Sequence, residues 1–424
     1  MFEGSGNPAL PEVGFAMRVE IVVIGNGPAA FQALQTIAAY RAESSTDEMK
    51  ITVISQEGTP GYSPMFLLDY LTGALREEEI LLRDSHSLFL ERLLGEKVIR
   101  LQDGRNRVIL ESGREVGYDR LLIASGASPL IPSLKGINKE GVYFFNRLED
   151  VRKLSRQLPS SKNIIIIGAG AIGIEVAIAL KKLGKNVLVT ELLDQILPQM
   201  LDWDLAQNVE KELSISGIKL LLGESVSEVT GDDKAAGIIV GNKEIEGDLI
   251  LVTTGVKPNV DFLKFSNVKV NTGVPVNEKM QTSVPNIYAA GDVAESLDPY
   301  GGYELVFNWY NAIDQAVIAG YNLIGGENTY KPSPALAVIK GIDPLVISVG
   351  RKYGEEGYET LSYTDKQRGL YERTFIRGNR IDCYQAIGIS DKFSLIYGYI
   401  RGRKDFRRIK KLLGGKDSPV YFWC

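Results

Sequence analysis

An apolar strand that runs straight into a glycine-rich turn and then a helix occurs twice in this chain. Residues 21–24 lead into Gly25-Asn26-Gly27-Pro28-Ala29-Ala30, and residues 164–167 lead into Gly168-Ala169-Gly170-Ala171-Ile172-Gly173. In such a turn the first glycine permits the tight bend and the second lets the backbone approach a pyrophosphate. A small third residue lets helix and strand pack closely. The phosphate then rests on the amides of the helix N-terminus. Each turn is followed by a second strand, at 51–55 and at 187–190. Each half also holds a later strand ending in glycine: 120–124 before Ser125-Gly126, and 249–253 before Thr254-Gly255. The pattern predicts an α/β chain with two dinucleotide-binding units of Rossmann type.

The second strand of the second unit ends at Glu191, about 20 residues past its first glycine, where an acid binds ribose hydroxyls. A carboxylate there repels a 2′-phosphate, so NADH is favoured over NADPH. In the first unit the equivalent strand ends Ser55-Gln56-Glu57, and either Gln56 or Glu57 can meet the adenosine ribose. A later Ala289-Ala290-Gly291-Asp292 places an aspartate at a strand end, suited to a flavin ribityl chain. Two units with this addition point to FAD and NAD as the cofactors.

Composition narrows the chemistry. Two cysteines and one histidine, His86, cannot build a disulfide framework, an iron–sulfur cluster or a histidine-rich metal centre, so no metal site is expected. Electrons must sit on a borrowed organic cofactor. A formal net charge of -5 argues against a nucleic-acid partner held by bulk charge. The most apolar run, 164–180, contains Glu175 and is short of the ~20 residues a bilayer needs, so no membrane span is expected. Residues 1–17 read as a loose arm without a secretory signal (Met17 is a candidate for an alternative start), and a cytoplasmic location is expected. The expected partition is an FAD-binding domain at 18–133 and 261–329, an NAD-binding domain at 134–260, and a small α+β interface domain at 330–424. That last domain is expected to close on a helix near 404–413 with Phe406, Ile409 and Leu413 inward and a basic outer face.

The chain resembles the two-dinucleotide FAD/NAD(P)H oxidoreductases with the glutathione-reductase-like fold. The resemblance rests on five ordered segments: 22–30 and 286–292 for FAD, 166–175 for NADH, and the linking stretches 118–126 and 253–259. It implies cofactor contacts at Gly25, Gly27, Pro28, Ala29, Ala30, Ala124, Ser125, Gly126, Gly168, Gly170, Ala171, Ile172, Gly173, Gly255, Gly291 and Asp292. Residues 62–73 and 307–312 look like segments of rubredoxin reductases, ferredoxin reductases and the flavin module of NADH nitrite reductases. The chain departs from the disulfide-reducing members, whose first helix carries a redox cysteine pair. Met65 falls near the position of the single cysteine of coenzyme A disulfide reductases, and Pro64 stands where electron-transfer members carry a basic residue.

Hydride transfer from nicotinamide C4 to flavin N5 needs two stacked rings more than acid–base groups. Glu175, one turn past the NADH loop, is a candidate for holding the nicotinamide carboxamide. The helix opening at Trp309 is a candidate for stabilising the reduced flavin through its N-terminal amides. The acceptor implied is an iron–sulfur carrier of ferredoxin or rubredoxin type. The alternatives are a sister redox subunit, as with a molybdenum or tungsten enzyme, or O₂ in an NADH oxidase. A homo- or hetero-oligomer is compatible with either. The basic stretch 401–416 offers a dock for an acidic partner.

Overall fold

A computed structural model describes residues 19–43, 49–83, 90–298, 300–352, 356–389 and 391–413. The N-terminal arm, His86, Lys416 and the Tyr421–Cys424 tail lie outside the described residues. The chain divides into two compact units, one formed by 1–63, 81–127 and 257–333, the other by 64–80, 128–256 and 334–424.

The first unit is built on a five-stranded parallel sheet in the order Ile287–Ala289, Arg120–Ile123, Val19–Ile24, Met49–Ser55, Leu90–Leu94. Its central strands are apolar on both sides because they share one core with the helices Pro28–Glu43 and Trp309–Leu323 and with the antiparallel sheet of Val98–Gln102, Arg107–Leu110 and Glu115–Gly117, which removes the alternation of a half-exposed strand. Ile21, Val22, Val23, Leu121, Leu122 and Ile123 are all buried. The helix Pro28–Glu43 starts on a proline, whose fixed φ and missing N–H suit the first helical position. It packs on the helix Trp309–Leu323 through small residues, and a Cβ on Gly320 would come within 2.7 Å of Ala33 O.

The second unit repeats the plan. Its parallel sheet runs Lys219–Leu221, Asn186–Thr190, Asn163–Ile167, Leu249–Val252, Val142–Phe144. The same unit holds a five-stranded antiparallel sheet in the order Leu336–Ile339, Val346–Gly350, Arg380–Ile387, Leu370–Arg377, Glu359–Asp365. Helix Phe393–Arg401 packs on that sheet. This is the α+β texture expected after residue 330.

The expected closing helix at 404–413 does not form. The α-helix lies earlier, at Phe393–Arg401, and Arg403 then takes a left-handed φ of 47°. Asp405 accepts the N–H of Arg407 and starts a 3₁₀ turn at Phe406–Arg408, with another at Lys410–Leu412. Phe406, Ile409 and Leu413 are nevertheless buried, and Arg401, Arg403, Lys404, Arg407, Arg408, Lys410 and Lys411 are exposed. Two short turns produce the inward stripe that one helix was expected to supply.

Candidate functional site

The two glycine turns are built from the same contacts. Gly25 donates its N–H to Ile54 O at 2.8 Å, and Gly168 donates to Thr190 O at 2.8 Å. Both first glycines are left-handed, at φ 115° and 108°. A Cβ on Gly25 would lie 2.0 Å from Ala124 O, and one on Gly168 would lie 2.6 Å from Thr253 O. Each bend is therefore pressed against the later strand that the sequence pairs with it. Third positions are as tight: Ala30 is fully buried, and a Cβ on Gly173 would lie 2.1 Å from Gly168 O.

The second glycines differ. Nothing lies within 4 Å of a Cβ placed on Gly27 or on Gly170. That open volume, above a helix start whose first amides point outward, is the space a pyrophosphate needs. Ile172, in the first turn of the second helix, is 45% exposed on the same loop.

Around the first turn, Ser125 Oγ donates to Asn259 O at 2.9 Å and Asn259 Nδ2 donates to Ser125 O at 2.8 Å. Gly126 and Gly291 are left-handed, at φ 64° and 81°. The Gly291 N–H reaches Gln315 Oε1 at 2.9 Å, and burial raises the Asp292 carboxyl to about 6. Gln56 is exposed, whereas Glu57 is half-buried and accepts from the Tyr62 hydroxyl at 3.0 Å. Of the six buried polar atoms of this unit without a hydrogen-bond partner among the described residues, Gln102 Oε1 and Tyr118 Oη belong to the 98–118 stretch, and the other four are Thr59 Oγ1, Ser63 Oγ, Asn308 Nδ2 and Gln315 Nε2. Such orphans are costly unless something polar meets them. Together with the space at Gly27 these four fit a bound FAD. Sequence reasoning missed all four, because nothing in their spacing separates them from ordinary loop and helix residues.

Trp309 is the half-buried first residue of its helix, with Phe307 and Tyr310 exposed beside it. Asn308 caps that helix by accepting the Asn311 N–H at 2.8 Å.

In the second unit, the Glu191 carboxylate accepts the Ala169 N–H at 2.8 Å and the Leu193 N–H at 3.0 Å. The acid thus stands directly beside the glycine turn, as its spacing predicts. Gly255 is exposed and left-handed, at φ 104°. Glu175 is half-buried on helix Ala171–Lys182, and its Oε1 accepts the Lys340 N–H at 2.8 Å. Burial pushes its carboxyl above the usual range. The Lys340 amide and ammonium pull it back, and Asp69 adds a smaller upward push. The Met65 and Phe66 side chains are partly exposed in the 3₁₀ turn Pro64–Phe66.

A chain with a duplicated dinucleotide fold, an acid held against one glycine turn and a desolvated aspartate beside the other is a flavin- and nicotinamide-dependent oxidoreductase. The chain belongs to the pyridine nucleotide-disulphide oxidoreductase family, whose model matches residues 19–316. FAD and NAD(H) are its cofactors, and it is an NADH-dependent flavoprotein oxidoreductase. It is 34% identical over 332 residues to an NADH oxidase of Methanocaldococcus jannaschii, covering 75% of this chain and 73% of that one. It is 30% identical over 409 residues to the assimilatory nitrate reductase electron transfer subunit of Bacillus subtilis. That match covers 94% of this chain but only 50% of the relative, so the chain spans half of that protein. A covalent putidaredoxin reductase–putidaredoxin complex shares its fold, with a TM-score of 0.85, 22% identity, and coverage of 95% and 97%.

The family's disulphide chemistry has no thiol to run on in the first helix, since Pro28–Glu43 contains no cysteine. Cys383 is buried, and its thiol is pushed up to about 12 by that burial. A thiolate there is not available near neutral pH.

Proposed function

We propose that this protein is a cytoplasmic electron-transfer enzyme, exchanging electrons between NADH/NAD⁺ and an iron–sulfur carrier of ferredoxin or rubredoxin type, or a sister subunit of a redox complex. The observation that carries this reading is the pair of matching glycine turns, each with clear space over its second glycine, in a chain lacking a cysteine at the first helix. FAD, when bound, accepts a hydride from NADH and can release the two electrons singly, which suits a one-electron iron–sulfur acceptor. In this reading Gly25–Ala30, Ala124–Gly126, Gly291 and Asp292 hold FAD, with Gln56 or Glu57 at its ribose. Gly168–Gly173, Glu191 and Gly255 hold NADH. Glu175 receives the nicotinamide carboxamide, and the helix start at Trp309 presents its amides to the flavin. The exposed basic residues between Arg401 and Lys411 form the dock for an acidic partner.

The test is to supply NADH and, separately, an acidic ferredoxin, a rubredoxin and O₂. Rapid carrier reduction that slows as ionic strength rises supports the proposal. The NADH oxidase relative favours a second reading, in which O₂ is the acceptor. Fast oxygen uptake with idle carriers would select it.

A further inference from the structure

Glu175 is met by a turn that lies 165 residues further along the chain. Lys340 and Gly341 follow strand Leu336–Ile339 and sit on one face of helix Ala171–Lys182. Three contacts fix them there. The Lys340 N–H donates to Glu175 Oε1 at 2.8 Å, and Lys182 Nζ donates to Gly341 O at 2.7 Å. Gly341, left-handed at φ 82°, closes onto Ile178: a Cβ there would meet Ile178 Cγ2 at 3.1 Å. Residues 175, 178 and 182 are spaced three and four apart, so they share a helix face. The turn is clamped along that face at both ends.

The Lys340 ammonium continues past Glu175. It lies 3.9 Å from Asp69 Oδ2, 3.5 Å from Met65 O and 5.9 Å from the Phe66 ring centroid. The half-buried carboxylate therefore has one oxygen engaged by a fixed amide, with a cation and a second carboxylate as its charged neighbours.

We propose that Lys340 is a positioning residue of the NADH site: its amide fixes the Glu175 carboxylate so that the other oxygen is presented to the nicotinamide carboxamide, and its ammonium supplies the opposite charge beside that carboxylate. The antiparallel C-terminal sheet thus completes the nicotinamide end of the site. This rests on the assignment of Glu175 to the carboxamide.

The experiment measures NAD⁺ affinity for the oxidised, FAD-loaded protein by calorimetry across pH, a readout independent of turnover. Affinity falls as pH drops and Glu175 takes up a proton. Lys340→Met raises the midpoint of that fall by about half a unit, the size expected from losing a partly solvated opposite charge. Lys340→Arg leaves the midpoint in place, and Asp69→Asn lowers it. If Glu175→Gln abolishes the pH dependence but Lys340→Met does not move the midpoint, the proposal is overturned while the role of Glu175 stands. If Glu175→Gln leaves the curve unchanged, the assignment of Glu175 fails and the proposal falls with it. Unchanged flavin absorbance and thermal midpoint in each variant establish that folding is not the cause.

Discussion

Gly25 and Gly27 are two residues apart in one turn and answer to different demands. Gly25 is left-handed and its missing side chain would strike Ala124 O, so Gly25→Ala strains the fold itself. The expected loss is at least ~2 kcal/mol of stability, read by denaturant unfolding. Gly27 faces open space, so Gly27→Ala leaves unfolding unchanged and lowers FAD content, read from flavin absorbance per chain. The same contrast separates Gly173→Ala, which clashes with Gly168 O, from Gly170→Ala, which weakens NADH alone. Asp292 yields a pH prediction. Burial raises its carboxyl from 3.8 to about 6, so the folded FAD-free protein favours the neutral acid. Its contribution to stability is full below pH 3.8 and is lost as pH rises through about 6. Asp292→Asn should flatten the fall in thermal midpoint over that window while weakening FAD retention. Glu191→Ala, which removes the carboxylate beside the Ala169 amide, should raise the NADPH-to-NADH ratio of kcat/KM about tenfold.

Among the elements, the ones read correctly from sequence carry their own signal. The run Asn163–Ile167 is four isoleucines after an asparagine, buried on both faces, and an uninterrupted β-branched stretch before a glycine turn has few other solutions. The C-terminal elements were harder to read because their order comes from each other. Strand Leu370–Arg377 sets Glu372 and Arg373 side by side and Phe375 beside Ile376, with no clean alternation, yet the Glu372 side chain is fully buried, and Lys392 reaches it at 2.7 Å from outside the sheet. No local pattern announces a partner 20 residues away. Lys340 was invisible for the same reason, while Glu175 was found by its distance from the glycine turn. The buried pair also predicts its own behaviour. Lys392→Met removes the ammonium 2.7 Å from a buried carboxylate and should cost about 3–5 kcal/mol, whereas Glu372→Leu with Lys392→Met should unfold close to the parent. Urea unfolding of both variants checks this.

At the scale of the whole molecule, one plan used twice accounts for the chemistry. Each parallel sheet places a glycine turn at the carboxyl end of its first strand, and each turn is pinned by the same hydrogen bond from its first glycine. One turn is accompanied by orphaned polar atoms and a buried aspartate, the other by an acid held against the turn. In the reading proposed here, that difference places FAD at the first turn and NADH at the second. Mixing the FAD-loaded protein with NADH in an anaerobic stopped-flow instrument tests the assignment most directly. The account predicts rapid bleaching of the flavin band, lost in Gly170→Ala and slowed in Glu175→Gln. A flavin that keeps its oxidised spectrum in the presence of excess NADH would contradict it.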